Sequence, residues 1–300
     1  MLNSVKHKFY TICMVLICFQ NNQYIKTLKK EFLLIFLFQL LGFQVFSQDV
    51  EMSGTLIDSK THEPIEFVNI GIQNKNKGTI SNLNGTFQLN ISKELTQDSL
   101  TISHVNYETL KIPIKNIKNK TLYLKPKTNE LAEVVISNKK KRHRKVGVKS
   151  YNTLLWGRAI SEDRDIMELA QRINIPDKSV KVTYANIYLR RGFEADSSHI
   201  RINFYKNTNN APGEKIVFEY IIQKKLIEPG WVQIDLTKNN IYLNEDFFIG
   251  IEFIPNFKKP TEVWAGGILT KGGAYSRTSS QASWTKSSGA AYSINVEIEF

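Results

Sequence analysis

Cysteine is nearly absent: the 300 residues hold two, Cys13 and Cys18, and there is none from Asp49 to Phe300. That excludes a disulfide framework, a cysteine nucleophile and a structural cysteine zinc site in everything after the first segment. With 8 proline and 16 glycine residues there is no Pro/Gly-rich linker and no collagen-like or low-complexity fibre. No stretch of 50–137 has a convincing helical period either. The catalytic signatures G-x-S-x-G, H-E-x-x-H, G-x-x-x-x-G-K-S/T and G-x-G-x-x-G are missing too. Past the first segment His62, His104, His143 and His199 are scattered without metal-ligand spacing, so no metal and no cofactor are expected.

The net charge of +12 is unevenly placed. The first 48 residues carry +4 and the run Lys139–Lys145 carries +6, which leaves the rest nearly neutral. A basic face for nucleic acid is therefore not expected. Hydrophobic residues make up 42% of the chain, an ordinary globular share.

Residues 1–48 read as a leader. Lys26, Lys29 and Lys30 precede the apolar run 32–46, and Ser47 and Gln48 follow. A positive stretch, an apolar core and a small residue form a secretory signal pattern. The run is short of the about 20 apolar residues a membrane span needs. Two readings stand: a cleaved signal with the mature start near Gln48, or an uncleaved anchor. Either makes the protein exported, to the periplasm or to the outer membrane and cell surface. Cys18 follows Val15-Leu16-Ile17, which does not fit a lipoprotein cleavage site.

Short alternating runs separated by turn residues fill 49–137: 52–58, 66–73, 86–91, 99–103, 107–114, 121–126 and 131–137. Many short strands with turns between them predict a sandwich. Gly78 and Gly85 are candidates for positive φ. In order, GTLID (54–58), EPIEFVNI (63–70), KGTISNLNGTFQL (77–89), LTISHVNYE (100–108), LYLKP (122–126) and LAEVVIS (131–137) resemble the carboxypeptidase-like regulatory domain family. The resemblance implies a transthyretin-like sandwich of about seven strands, common in exported Bacteroidetes proteins, with a structural or regulatory rather than peptidase role. Ser81-Asn82 stands where the family commonly has Thr-Asp, which removes an acidic loop.

Residues 138–148 form a basic linker around Lys139–Lys145, read either as a solvated hinge or as a contact with acidic head groups or anionic polysaccharide. From 149 to 300 a second, larger, jelly-roll-like sandwich is expected, and all four Trp lie in it. The segment 162–175 fits both a helical stripe and a strand. Its ELAQRINI (168–175), with RINFYK (201–206), APGE (211–214), GWVQIDL (230–236), FFIGIEF (247–253) and RTSSQASW (277–284), resembles the uncharacterised C-terminal region of exported proteins carrying the same first module. That resemblance favours strand. Trp231, after Pro229-Gly230, reads as core, and His199 as an exposed or edge position.

The candidate ligand contacts are Trp264, Tyr275, Arg277, Gln281 and Trp284, in or beside a Gly/Ser/Thr-rich stretch where aromatic faces can stack on sugars and amides can meet hydroxyls. No catalytic residue is assigned. The competing hydrolase reading uses Glu297 and Glu299, which share a strand face, with Glu252 on another strand. The expectation is an all-β, two-sandwich, non-catalytic exported protein that binds a glycan or an envelope protein. The alternatives are that hydrolase or a purely structural component. Composition leaves oligomeric state open.

Overall fold

The computed structural model describes residues 49–117, 120–127, 141–160, 165–176, 179–190, 197–255, 262–270 and 272–300. The leader, LAEVVIS (131–137), Lys139 and Lys140 lie outside the described residues. Among the described residues the regular structure is β-strand apart from two short 3₁₀ turns, and no helix is long and apolar enough to cross a membrane.

The first sandwich contains β1 (Asp49–Asp58), β2 (Asn69–Ile72), β3 (Lys77–Ile80), β4 (Thr86–Ser92), β5 (Ser99–Ser103), β6 (Leu110–Pro113) and β7 (Thr121–Leu124). One sheet runs β4-β1-β7, with β1 and β7 parallel; the other runs β3-β2-β5-β6. The period of two in β4 sends Phe87, Leu89 and Ile91 inward against Leu56, Ile70, Leu100, Ile102 and Leu124. Gly85 has the expected positive φ of 70°. Ser81 ties its loop to the segment before β2, and Asn82 ties the loop to itself. The Ser81 hydroxyl donates to Ile65 O at 2.8 Å, and Asn82 Oδ1 accepts from the amides of Asn84 and Thr86 at 2.9 and 3.1 Å.

The second sandwich contains β8 (His143–Gly147), β9 (Trp156–Ile160), β10 (Met167–Ile173), β11 (Val180–Arg190), β12 (Ser197–Thr208), β13 (Ala211–Lys215), β14 (Ile222–Leu226) and β15 (Gly230–Asp235). It continues with β16 (Ile241–Leu243), β17 (Phe247–Ile254), β18 (Glu262–Leu269), β19 (Ala274–Arg277), β20 (Thr285–Ser287), β21 (Ala290–Tyr292) and β22 (Ile294–Glu299). The proximal sheet, beside the first sandwich, runs β13-β12-β17-β10-β19-β20 with β14 on β12. The distal sheet runs β21-β18-β11-β22-β8, with β15 and β16 on β11 and β9 on β18. The chain passes between the sheets from β10 to β11 to β12, and again from β17 to β18 to β19, a jelly-roll habit. Between them lies an aliphatic and aromatic core that includes Ile187, Phe204, Ile251, Phe253 and Val296. The ambiguous segment is strand β10, because both of its faces are covered.

The expected basic linker is partly sheet. Residues His143–Gly147 form β8, antiparallel to β22, with Val146 in the core and Lys145 facing Glu297. One apolar side chain pointing inward and cross-strand acids pointing outward make an edge strand out of a charge run.

The two sandwiches form one compact unit, Asp49–Phe300. Strand β2 is buried on both faces, because the second sandwich covers the Asn69 and Gly71 side. A Cβ at Gly71 would stand 2.4 Å from Ser280 O, and one at Gly78 2.8 Å from the same atom. Gly78 therefore serves close backbone approach, not the positive φ expected of it.

Candidate functional site

The alternation of β11 puts Val182, Ala185, Ile187 and Leu189 in the core and turns Tyr184, Asn186, Tyr188 and Arg190 outward. Tyr188 pairs in register with Trp231 of β15, and Trp156 of β9 pairs with Gly266 of β18. Gly266 lies one step beyond the Leu189–Ala265 pair, so the row Trp231, Tyr188, Gly266, Trp156 crosses four strands of the distal sheet. A Cβ at Gly266 would sit 2.8 Å from Tyr188 Cδ1 and 3.4 Å from Trp156 Cζ3. The glycine is what lets two large rings share that stretch of sheet.

Tyr151 stacks on Tyr188 with centroids 3.7 Å apart and planes 11° apart, while Trp231 meets Tyr188 edge-on at 5.4 Å. Trp156 lies 5.8 Å from Tyr188, under the Arg190 guanidinium at 5.2 Å, and its indole N–H donates to Thr153 O at 2.8 Å. Tyr151 and Trp231 remain 41% and 40% exposed, and Leu154 at 91% adds a third apolar side chain in the same segment as Tyr151. Next to this row is a row of amides. Asn186 donates to Asn295 Oδ1 at 3.1 Å, and Gln233 donates to Asn186 Oδ1 at 3.2 Å. Ion pairs follow, Lys145–Glu297 at 3.1 Å and Lys141–Glu299 at 2.6 Å. The distal face thus grades from aromatic through amide to charged. A contiguous exposed aromatic patch beside fixed polar groups is the make-up of a recognition surface. Trp231, expected in the core, belongs to this surface, because the side chains of β15 that point inward are Val232 and Ile234.

Of the five residues singled out from the sequence, Tyr275, Arg277 and Trp284 gather around Tyr205 on the proximal sheet, while Trp264 and Gln281 lie elsewhere. Trp264 is on the distal sheet, its N–H donating to Glu262 at 2.9 Å with Arg158 5.8 Å from its ring. Tyr275 is buried on the proximal sheet, edge-on to Phe248, its hydroxyl donating to Asn210 O at 2.7 Å. Trp284 packs edge-on against Tyr205 at 5.4 Å with Arg277 over its ring at 4.7 Å. Gln281, at φ 65°, reaches the first sandwich and donates to Ser103 Oγ at 2.7 Å.

Arg277 ends a row of four charges in register across the proximal sheet: Arg201 on β12, Glu252 on β17, Glu168 on β10 and Arg277 on β19. Arg201 Nη1 is 2.8 Å from Glu252 Oε1, and Arg277 Nη2 is 2.6 Å from Glu168 Oε2. Asn203 Nδ2 donates to both glutamates, at 2.8 and 2.9 Å, and the Tyr205 hydroxyl donates to Glu168 at 2.8 Å. Gly250 makes room, since a Cβ there would lie 2.1 Å from Glu168 Oε1. Arg201 also donates to Asn69 Oδ1 at 2.9 Å and to Phe67 O, so the row reaches into the first sandwich. Burial works against ionisation of Glu252, but Arg201, Lys215 and Arg277 outweigh it and hold its carboxyl below the usual range. Such a carboxylate is paired, not poised to donate a proton. Glu297 and Glu299 face outward from the distal sheet, so the three acids of the hydrolase reading are not gathered in one cleft. Among the described residues no group of three His, Cys, Asp or Glu is placed to hold a metal. His199 is half-buried, its ring 5.1 Å from Phe67.

Fold and surface together define an all-β protein of two sandwiches, the second with an aromatic outer face. Residues 52–136 match the CarboxypepD_reg-like domain family, in agreement with the motifs of the first sandwich. No curated protein matches the chain. Among solved structures, the cysteine protease and lectin-like domains of Cwp84, a surface layer associated protein of Clostridium difficile, align at TM-score 0.38 and 10% identity, over 78% of this chain and 58% of that one. The infectious bursal disease virus VP2 subviral particle aligns at TM-score 0.23 and 6% identity, over 83% and 63%. The chain spans less than two thirds of either solved chain.

Proposed function

We propose that the protein is an exported, non-catalytic module of a cell envelope that holds a glycan on the distal face of its second sandwich. The observation that carries this reading is the Trp231–Tyr188–Gly266–Trp156 row, with Tyr151 stacked above it and the Asn186, Asn295 and Gln233 amides alongside. Sugar rings present apolar C–H faces and hydroxyl edges. Rigid aromatic rings cover the former at little entropic cost, and the exposed Gln233 amide, held by the buried Asn186–Asn295 pair, is placed to meet the latter. The leader pattern and the absence of cysteine from Asp49 onward support export. The CarboxypepD_reg-like module acts as a fixed companion, joined through Arg201 and the Gly71–Ser280 contact.

Titration of the full chain with peptidoglycan fragments and soluble neutral polysaccharides, following Trp emission and product release together, tests this. A saturable change without products, lost in Trp231→Ala and Trp156→Ala, is the expected result. Product release would return the hydrolase reading. Silence towards every glycan would leave an envelope protein or a structural role.

A further inference from the structure

The seam between the sandwiches holds a cavity that the platform does not use. It measures about 160 Å³, and its lining includes Asn69, His104 and Lys127 from the first sandwich with Arg201, Lys215 and Tyr220 from the second. At about 30 Å³ per water that is room for roughly five water-sized groups, enough for a carboxylate and the ring atoms beside it. The charge row beneath it is neutral, two arginines against two glutamates. Lys215 adds a positive charge whose ammonium donates to Asn203 Oδ1 at 2.8 Å and has no carboxylate in contact. At the rim Lys127, lying over the Phe218 ring at 4.4 Å, is balanced by Glu219, which accepts from Asn239. Glu66, which accepts from the Tyr220 hydroxyl at 3.3 Å, offsets the remaining charge from further off, so Lys215 is the lining cation without a carboxylate in direct contact.

Two further observations agree. Burial, with Arg201 and Lys215 adding to it, drives His104 down to about 3, so its ring is neutral. Its Nδ1 accepts from the Asn106 amide at 3.2 Å, which leaves Nε2 to carry the proton as a donor. Burial lowers Lys215 only to about 8, so it stays largely charged near neutral pH.

We infer that the seam cavity is a binding site for the carboxylate of a small polar molecule, an acidic sugar residue, held by Lys215 and the ring N–H of His104. A carboxylate would give the Lys215 ammonium the direct anionic partner it lacks. The aromatic rings of Tyr220 and Tyr107 in the lining offer a face to the apolar side of such a ring. This goes beyond the neutral-glycan platform, which lies on the opposite sheet.

Isothermal titration of the full chain with glucuronate, glucose and inorganic phosphate tests it. Glucuronate is expected to bind and glucose not to. Lys215→Met should weaken glucuronate tenfold or more. Thr109→Trp, which fills the rim of the cavity with every charge in place, should abolish binding, both variants keeping the parent melting temperature. Trp231→Ala should leave glucuronate binding unchanged, which separates this site from the platform. Glucuronate binding no better than glucose, phosphate binding tighter than glucuronate, or glucuronate binding unaltered in both cavity variants would overturn the assignment.

Discussion

The two outer faces of the second sandwich arise from one rule and reach opposite chemistry. In both sheets alternate residues leave the core. On the proximal sheet those residues are Arg201, Glu252, Glu168 and Arg277, covered and paired in register. On the distal sheet they are Trp231, Tyr188 and Trp156, Trp231 exposed and the other two partly covered. Charged residues are buried where a second domain and neighbouring side chains complete their hydrogen bonds, and large aromatics are exposed where nothing of the core needs them. Buried pairs of this kind add little net stability, but they penalise any arrangement that breaks them. Here that is separation of the sandwiches, because Arg201 bonds to both Glu252 and Phe67 O.

The sharpest way to break the comparison is to remove one partner on the closed face. Glu252→Ala strands Arg201 and should cost about 3–5 kcal/mol in denaturant unfolding. The double change Arg201→Met with Glu252→Leu should recover most of that loss. A loss much below 1 kcal/mol for the single change would mean that the row is hydrated and open.

Asp165 sharpens it through pH. It lies at the seam, its Oδ1 2.8 Å from the Ile166 amide and 3.0 Å from that of Ser280. Burial raises its pKa to about 6 despite hydrogen bonds from Ser279 and Ser280. The folded chain therefore binds this proton more tightly than the unfolded one. The associated stability is complete below about pH 4, is lost as pH rises towards about 6, and amounts to about 3 kcal/mol. Melting curves across that window should show the fall, and Asp165→Asn should remove it.

At Gly71 an added methyl would meet the Ser280 carbonyl and Lys77 O, both fixed backbone groups. Gly71→Ala should cost about 1–3 kcal/mol through strain at the seam. The open face is more tolerant. Lys145→Ala removes an ion pair that is 54% exposed on the lysine side and should leave the melting temperature unchanged within error.

Alternation made the strands legible, and the ordered motifs made the first sandwich legible as a CarboxypepD_reg-like domain over 52–136. Pairing between distant strands was not legible, and the errors follow from that. Lys139–Lys145 reads as a solvated run until Val146 and the acids of β22 supply an inward contact and partners. Gly78 reads as a turn residue until Ser280 arrives 202 positions later in sequence. Trp231 reads as core because a Trp that opens a strand carries no mark of which face it takes. The residues assembled from the 264–284 stretch are neighbours in sequence that the fold sends to both sheets. The outward phase of β11, Tyr184-Asn186-Tyr188-Arg190, was present in the alternation and points to the platform, but only cross-strand register adds Trp156 and Trp231 to it.

The central claim is that the distal row, and not the aromatics of the 264–284 stretch, recognises a glycan. The most direct measurement is the affinity of a neutral oligosaccharide for the parent chain, Trp231→Ala and Trp284→Ala under one set of conditions. The account predicts a loss of about thirtyfold for Trp231→Ala, as for a central aromatic contact, and no change for Trp284→Ala. Equal affinity in Trp231→Ala, or a loss confined to Trp284→Ala, would contradict it.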